Sequence, residues 1–251
     1  MPQFQPIFDF LRRLRQNNNY EWFESHRSEY DQARMLFEEF IQALIFRFDT
    51  IEPLGDLAAK DAIFRINNNL RFARNMPPYK NHFSAVLAPG GRHSLQLPYY
   101  IHIMPDGGSL IAGGAHMPTS ADLQAIRSAI ARDPVTIGRV IEAPAFRKYF
   151  GGISGEKLKT APRGYAVDDP QIELIRHKQF MVHHSLSDEQ VLSPDFADHA
   201  MAVFAAMKPF LDYLQPLVGP QMRPTRVQPK RDEGMTHRER MAPRYSLWVA
   251  S

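Results

Sequence analysis

The chain has 251 residues, 44% of them hydrophobic and 11% aromatic, enough to bury a sizeable core and to exclude disorder of the whole. It contains no cysteine, which excludes disulfides, thiolate zinc sites and cysteine nucleophiles. The net charge is +3 and the pI about 9.1, but residues 221–251 hold seven Arg or Lys against three acids, a net +4, so residues 1–220 carry −1 and the basic character belongs to the tail.

The start, MPQFQPIFDFLRRLRQ, is amphipathic and its apolar run is too short for a signal peptide. No later window has the uncharged length of a membrane span, so a soluble, cytoplasmic protein is expected. Phe8, Leu11 and Leu14 fall at helical spacing, and Asn17, Asn18 and Asn19 stop that helix and start the next. Asn18 with Glu21 suits a capping box. From Trp22 and Phe23 through Tyr30, Phe37, Ile41 and Leu44 to Phe48, one stripe predicts a single long helix, terminated by Pro53 and Gly55. Aromatic residues at this period belong to a core.

Residues 61–83, DAIFRINNNLRFARNMPPYKNHF, alternate at period two. Phe64, Ile66, Leu70 and Phe72 are apolar, whereas Arg65, Asn67, Asn69 and Arg71 are polar, the pattern of a half-buried strand. One face would enter a core, and the other would present Arg65 and Arg71, followed by Arg74, Tyr79 and Lys80 around the Pro77-Pro78 break.

Strands are expected at 83–88, 94–104 and 109–115, with turns at Pro89-Gly90-Gly91 and Asp106-Gly107-Gly108. Pro98 within the second predicts an edge position or a bulge, and Gly113-Gly114 a bulge or a close backbone approach. Thr119 or Ser120 caps a helix, Asp133-Pro134 opens another, and Phe146, Tyr149 and Phe150 lie on a third. After a loop through EKLKTAPRGY, Asp169-Pro170 starts a short helix and KQFMVHHSL alternates as a strand. A last helix from about Ser193 puts Phe196, Phe204, Met207 and Leu211 on one face, and Pro209 should kink it. The whole predicts one α+β domain over 1–220, helices packed on a mostly antiparallel sheet, with a disordered basic tail over 221–251.

FRINNNLRFARNMPPYKNHF resembles the central motif of an uncharacterised family of conserved hypothetical proteins, domain of unknown function 2461, in which F-R-I-x-R-D-x-R-F-S-K-D-K-x-P-Y-K is expected. NNNYEWF, PYYIHIMPDGGSLIAGGAHMP and LKTAPRGYAVDDP fit the same resemblance in order, which covers most of residues 5–217. The resemblance carries no activity. Where the pattern has acids, this chain has Asn69 and Asn75; Met76 replaces one lysine and Arg74 stands for another. A general acid, general base or metal ligand at those positions is thereby lost.

Arg65, Arg71, Arg74 and Lys80, with Lys159 and Arg163 from the later loop, are the candidate ligand-binding residues, because guanidinium and ammonium groups pair with phosphate or carboxylate oxygens. Tyr79 would shape the wall. The plainer account is local pairing of each with an acid. His102, His116 and the adjacent His183 and His184 come without HExxH, HxH or a carboxylate at ligand spacing, so no metal is expected. GGISGE around Ser154 fails as a nucleophile elbow because Glu156 stands where glycine is required. There is no Walker loop and no GxGxxG, hence no expected cofactor. The functional expectation is a small anionic ligand, for instance a phosphorylated one, bound in a basic cleft, with catalysis left open. The alternative is a non-catalytic interaction module whose tail touches RNA or another polyanion by charge. Neither the catalytic residues nor the oligomeric state can be read from the chain.

Overall fold

A computed structural model describes residues 4–70 and 76–219. Helix α1 (Gln5–Gln16) buries Phe8, Leu11 and Leu14 on the expected stripe. The predicted single long helix is two, α2 (Tyr20–Ser25) and α3 (Arg27–Phe48), broken at His26. There the backbone leaves helical geometry (φ −115°, ψ 22°), while the His26 ring stacks on Trp22 at 4.1 Å and its Nδ1 lies 2.8 Å from the Trp22 carbonyl oxygen. A side chain competing for a backbone acceptor is invisible to a periodicity that runs on through the break. The α2 cap is Asn19, whose side chain accepts from the Trp22 amide, so the capping box expected at Asn18 is corrected.

A four-stranded antiparallel sheet follows the order β1 (Phe83–Leu87), β2 (Tyr99–Ile103), β3 (Ser109–Ala115), β4 (Phe180–Leu186). The β2–β3 turn places Asp106 and Gly107 at positive φ. Asp188 fastens it by accepting from both their amides at 3.0 and 2.9 Å, and Arg12 of α1 bridges Asp106 and Asp188. Pro98 precedes β2, which is an interior strand. At Gly113 and Gly114 the β3–β4 register is continuous, so close approach rather than a bulge explains them. A Cβ on Gly113 would meet Met207 and the Pro98 carbonyl, and on Gly114, at φ +118°, it would run into the Phe180 carbonyl.

Between β3 and β4 lie α5 (Ser120–Arg132), α6 (Pro134–Glu142), α7 (Pro144–Phe150) and α8 (Ile172–Ile175). Thr119 and Asp122 form a reciprocal capping box on α5, and the Asp133 side chain caps α6. After β4, a short α9 (Asp188–Leu192) precedes α10 (Phe196–Leu214), which runs on past Pro209. One face of the sheet packs on α3 and α10 through ring pairs such as Phe37–Phe83, Phe48–Tyr99 and Tyr99–Phe204. The described residues are thus one α+β domain with an antiparallel sheet, and no helix among them is long and apolar enough to cross a membrane. The tail expected to be disordered lies outside them.

The strand expected over 61–72 is corrected across its described part, residues 61–70, and its last two positions lie outside the described residues. A helical turn α4 (Ala59–Ala62) leads into a strap that touches β1 only through Ile63↔Ala85 and the Phe64 amide to the Ser84 carbonyl. The strap then folds back on itself: Asn67 bridges Tyr79, the Asn68 amide donates to the Pro78 carbonyl, and the Lys80 amide to the Ile66 carbonyl. Pro77 and Pro78 have no N–H to extend a ladder. The alternation itself survives, with Ile66 buried and Arg65, Asn67 and Asn69 exposed.

Candidate functional site on the open face of the sheet

Side chains alternate across a strand, so half of the sheet residues point away from the helices. Register sets them in rows. Ser84, His102, Leu110 and Ser185 lie side by side across the four strands, and Val86, Tyr100, Ala112 and His183 form the next row. The two halves differ. Over β1 and β2 the strap covers the face, with Phe64 packed on Val86, Tyr100 and Ala112; over β4, His183 and Ser185 are exposed.

Beneath the strap sits a polar cluster, with Ser84 3%, Tyr100 2% and His102 7% exposed. The Tyr100 hydroxyl is 3.2 Å from His102 Nδ1 and also hydrogen-bonds Ser84. The half-buried His82 ring stacks on His102 at 4.1 Å. Burial pushes the His102 imidazole down to about 4. It also holds His82 well below the ordinary histidine value, helped by His102 and Lys80, and raises the Tyr100 phenol. Near neutral pH these are uncharged donors and acceptors on a face where no strand residue is a carboxylate.

Positive charge comes from the strap. Lys80 Nζ donates to the Arg65 carbonyl at 2.9 Å and lies 5.8 Å from the centre of the Phe64 ring, beside the exposed Arg65. Tyr79, between them and the core, is only 3% exposed and stacks on Phe23 at 3.8 Å, so its ring anchors the strap to the helices. Asn18 clamps the same residue, accepting from the Tyr79 amide at 3.1 Å and donating to its carbonyl at 2.8 Å. Arg71 and Arg74 lie outside the described residues.

Lys159 and Arg163 start from the other side of the sheet. Ile63 bridges the outer edge of β1 whereas Ser154 and Lys157 bridge Met181 and His177 at the far edge, beyond β4. Five strand spacings of about 4.8 Å separate those edges by roughly 24 Å. Both side chains are exposed, and the Lys159 carbonyl accepts from Arg176. They do not join Arg65 and Lys80 in one cluster.

Sequence reasoning missed Ser84 and His82 altogether, took Tyr100 only as a strand residue and set His102 aside as an ordinary histidine after rejecting it as a metal ligand. Their signal was a polar residue at alternate positions of apolar strands, which without a partner reads as an ordinary core histidine. Ser154, dismissed as a nucleophile elbow, does stand 2.8 Å from His183 Nδ1, but it lies in an irregular segment bridged to Met181, with no strand before it and no helix after it, so no elbow forms. Among the described residues, no three His, Cys, Asp or Glu side chains are grouped to hold a metal ion. A separate cleft of about 280 Å³ on the helical side is lined by Glu52, Tyr99 and Asp212, and Lys208 already ties its two carboxylates together.

The fold and this face define an α+β domain whose sheet is sealed by helices on one side and half covered by a basic strap on the other. The chain belongs to the family described as conserved hypothetical protein (DUF2461), whose model matches residues 6–213 and so takes in the strap and all four strands. It matches no curated protein and no solved structure.

Proposed function

We propose that the protein binds a small anionic ligand, carrying phosphate or carboxylate, on the open face beside the strap. Arg65 and Lys80 are the anchors, Arg71 and Arg74 from the adjoining residues add to them, and Tyr79 acts by holding the strap in place. The observation that carries this reading is the combination of a carboxylate-free strand face with a basic strap laid across it. Desolvated neutral donors strengthen hydrogen bonds to an anion without demanding a counter-charge. Lys159 and Arg163, at the opposite edge, are left to a second contact with a longer ligand.

A thermal-shift screen of the full chain against phosphorylated metabolites, nucleotides and carboxylates tests this, repeated on Arg71→Ala and on a chain ending at residue 220. A stabilising anion lost in Arg71→Ala and kept in the shortened chain supports the strap. Binding that disappears with residues 221–251 and ignores Arg71→Ala transfers the function to the tail, as a charge-driven polyanion contact.

A further inference from the structure

On the helix-facing side of β4 a second pair of histidines meets. His184 Nε2 and His199 Nε2 are 3.1 Å apart, joining β4 to α10, and His184 Nδ1 lies 2.9 Å from the Tyr149 carbonyl oxygen on α7. A carbonyl can only accept, so His184 carries its proton on Nδ1. Its Nε2 is then a lone pair, and the short contact requires His199 to donate from Nε2. Both tautomers follow from one backbone oxygen.

The same geometry limits how many protons the pair can hold. A first proton on His199 Nδ1 leaves the His199 Nε2–H donor in place and makes the bond charge-assisted. A second must enter at His184 Nε2, where it would face another N–H. The contact then becomes repulsive.

We propose that His184 and His199 form a proton-operated junction of β4, α7 and α10, closed with no or one extra proton and opened by the second. Among the described residues, the groups that act on either imidazole include no carboxylate. Lys148 of α7 lies 4.9 Å from the Tyr149 ring centre and acts on His199; His183, on the opposite face of β4, acts on His184. The Tyr149 ring meets both imidazoles edge-on, Ile111 is the β3 neighbour, and Asp198 of α10 is engaged by Arg47 of α3 at 2.5 Å. Burial, the first cause, lowers both histidines, so the second proton enters under acid conditions. Tyr149 leads through Gly151-Gly152 to Ser154, which bonds the other face of β4 at His183. Opening the junction therefore loosens the segment that wraps the sheet edge, and with it the exposed half of the open face.

Imidazole nitrogen NMR on the full chain tests this without a variant. At neutral pH His184 is expected as the Nδ1–H tautomer and His199 as the Nε2–H tautomer, titrating in two separate steps with His199 first. Amide exchange over residues 149–152, corrected for intrinsic rate, should rise at least about tenfold as the second proton enters, the signature of local opening. His199→Phe, which removes the donor, should show fast exchange throughout the pH range. An Nε2–H tautomer at His184, a single common titration, or exchange that ignores the second proton would overturn the junction.

Discussion

The two faces of the sheet are built from the same five- to seven-residue strands, yet they obey different rules. The helix-facing side, with Phe83, Ile101, Ile111 and Val182, is a mainly apolar layer, His184 at its β4 end excepted, and its cohesion is area removed from water. The open side mixes a small apolar cluster at Val86, Ala88, Tyr100 and Ala112 with Ser84, His102 and His183. Buried polar groups add little net stability when satisfied and cost more when broken. The first face therefore sets whether the protein folds, and the second is where chemistry can be accommodated.

The sharpest way to break that comparison is a cavity in the sealed face. Phe204→Ala removes a fully buried ring packed on Phe48 and Tyr99 and should cost about 3–5 kcal/mol in denaturant unfolding. A comparable loss from an open-face substitution would erase the distinction. The open face should instead show itself through pH. His102 is held down to about 4 by burial, so the unfolded chain binds more protons below the ordinary value of about 6.5. Stability contributed by its neutral form is complete above about pH 6.5 and is lost as pH falls toward 4, up to about 3 kcal/mol. His102→Phe should flatten that part of the stability profile from pH 7 to 4, and an unchanged slope would show that the folded protein does not keep this imidazole neutral.

Smaller effects separate the strap from both faces. Asn18→Ala deletes two hydrogen bonds to the Tyr79 backbone and should cost about 1–3 kcal/mol, with faster amide exchange at Tyr79 and Lys80. If stability falls but exchange in the strap does not change, Asn18 is not its clamp. Arg65→Ala, at an exposed position, should change stability by less than about 0.5 kcal/mol while weakening any anion found in the ligand screen. A large drop in melting temperature with binding intact would make Arg65 structural.

Much of the architecture was legible because local physics writes it into short patterns. The bounds of β3, Ser109–Ala115, coincide with the run expected between the Asp106-Gly107-Gly108 turn and the Thr119 cap. The caps at Thr119 and Asp133 follow from a side chain reaching an amide three residues on. The candidate site was legible only in part. Arg65 and Lys80 meet as neighbours in a strap, Tyr79 faces the core, and Lys159 and Arg163 start from the opposite edge. Ser84 and His82 drew no notice, and His102 was weighed only as a metal ligand, because a polar residue in a strand has no meaning until its cross-strand partner is known.

By itself, then, the sequence determined the helices and strands with strong periodicity, the turns that require positive φ, the exclusion of cysteine chemistry and the family resemblance over most of its length. Only the tertiary structure decided that residues 63–70 are a strap and not a strand, since strand character needs a neighbour's ladder. It also decided that Asn18 holds Tyr79 across 61 positions and that His184 meets His199 from a different element. The physical reason is common to both. Periodicity and capping act over a few residues and leave a local trace, whereas hydrogen bonds between distant segments depend on where packing brings the chain.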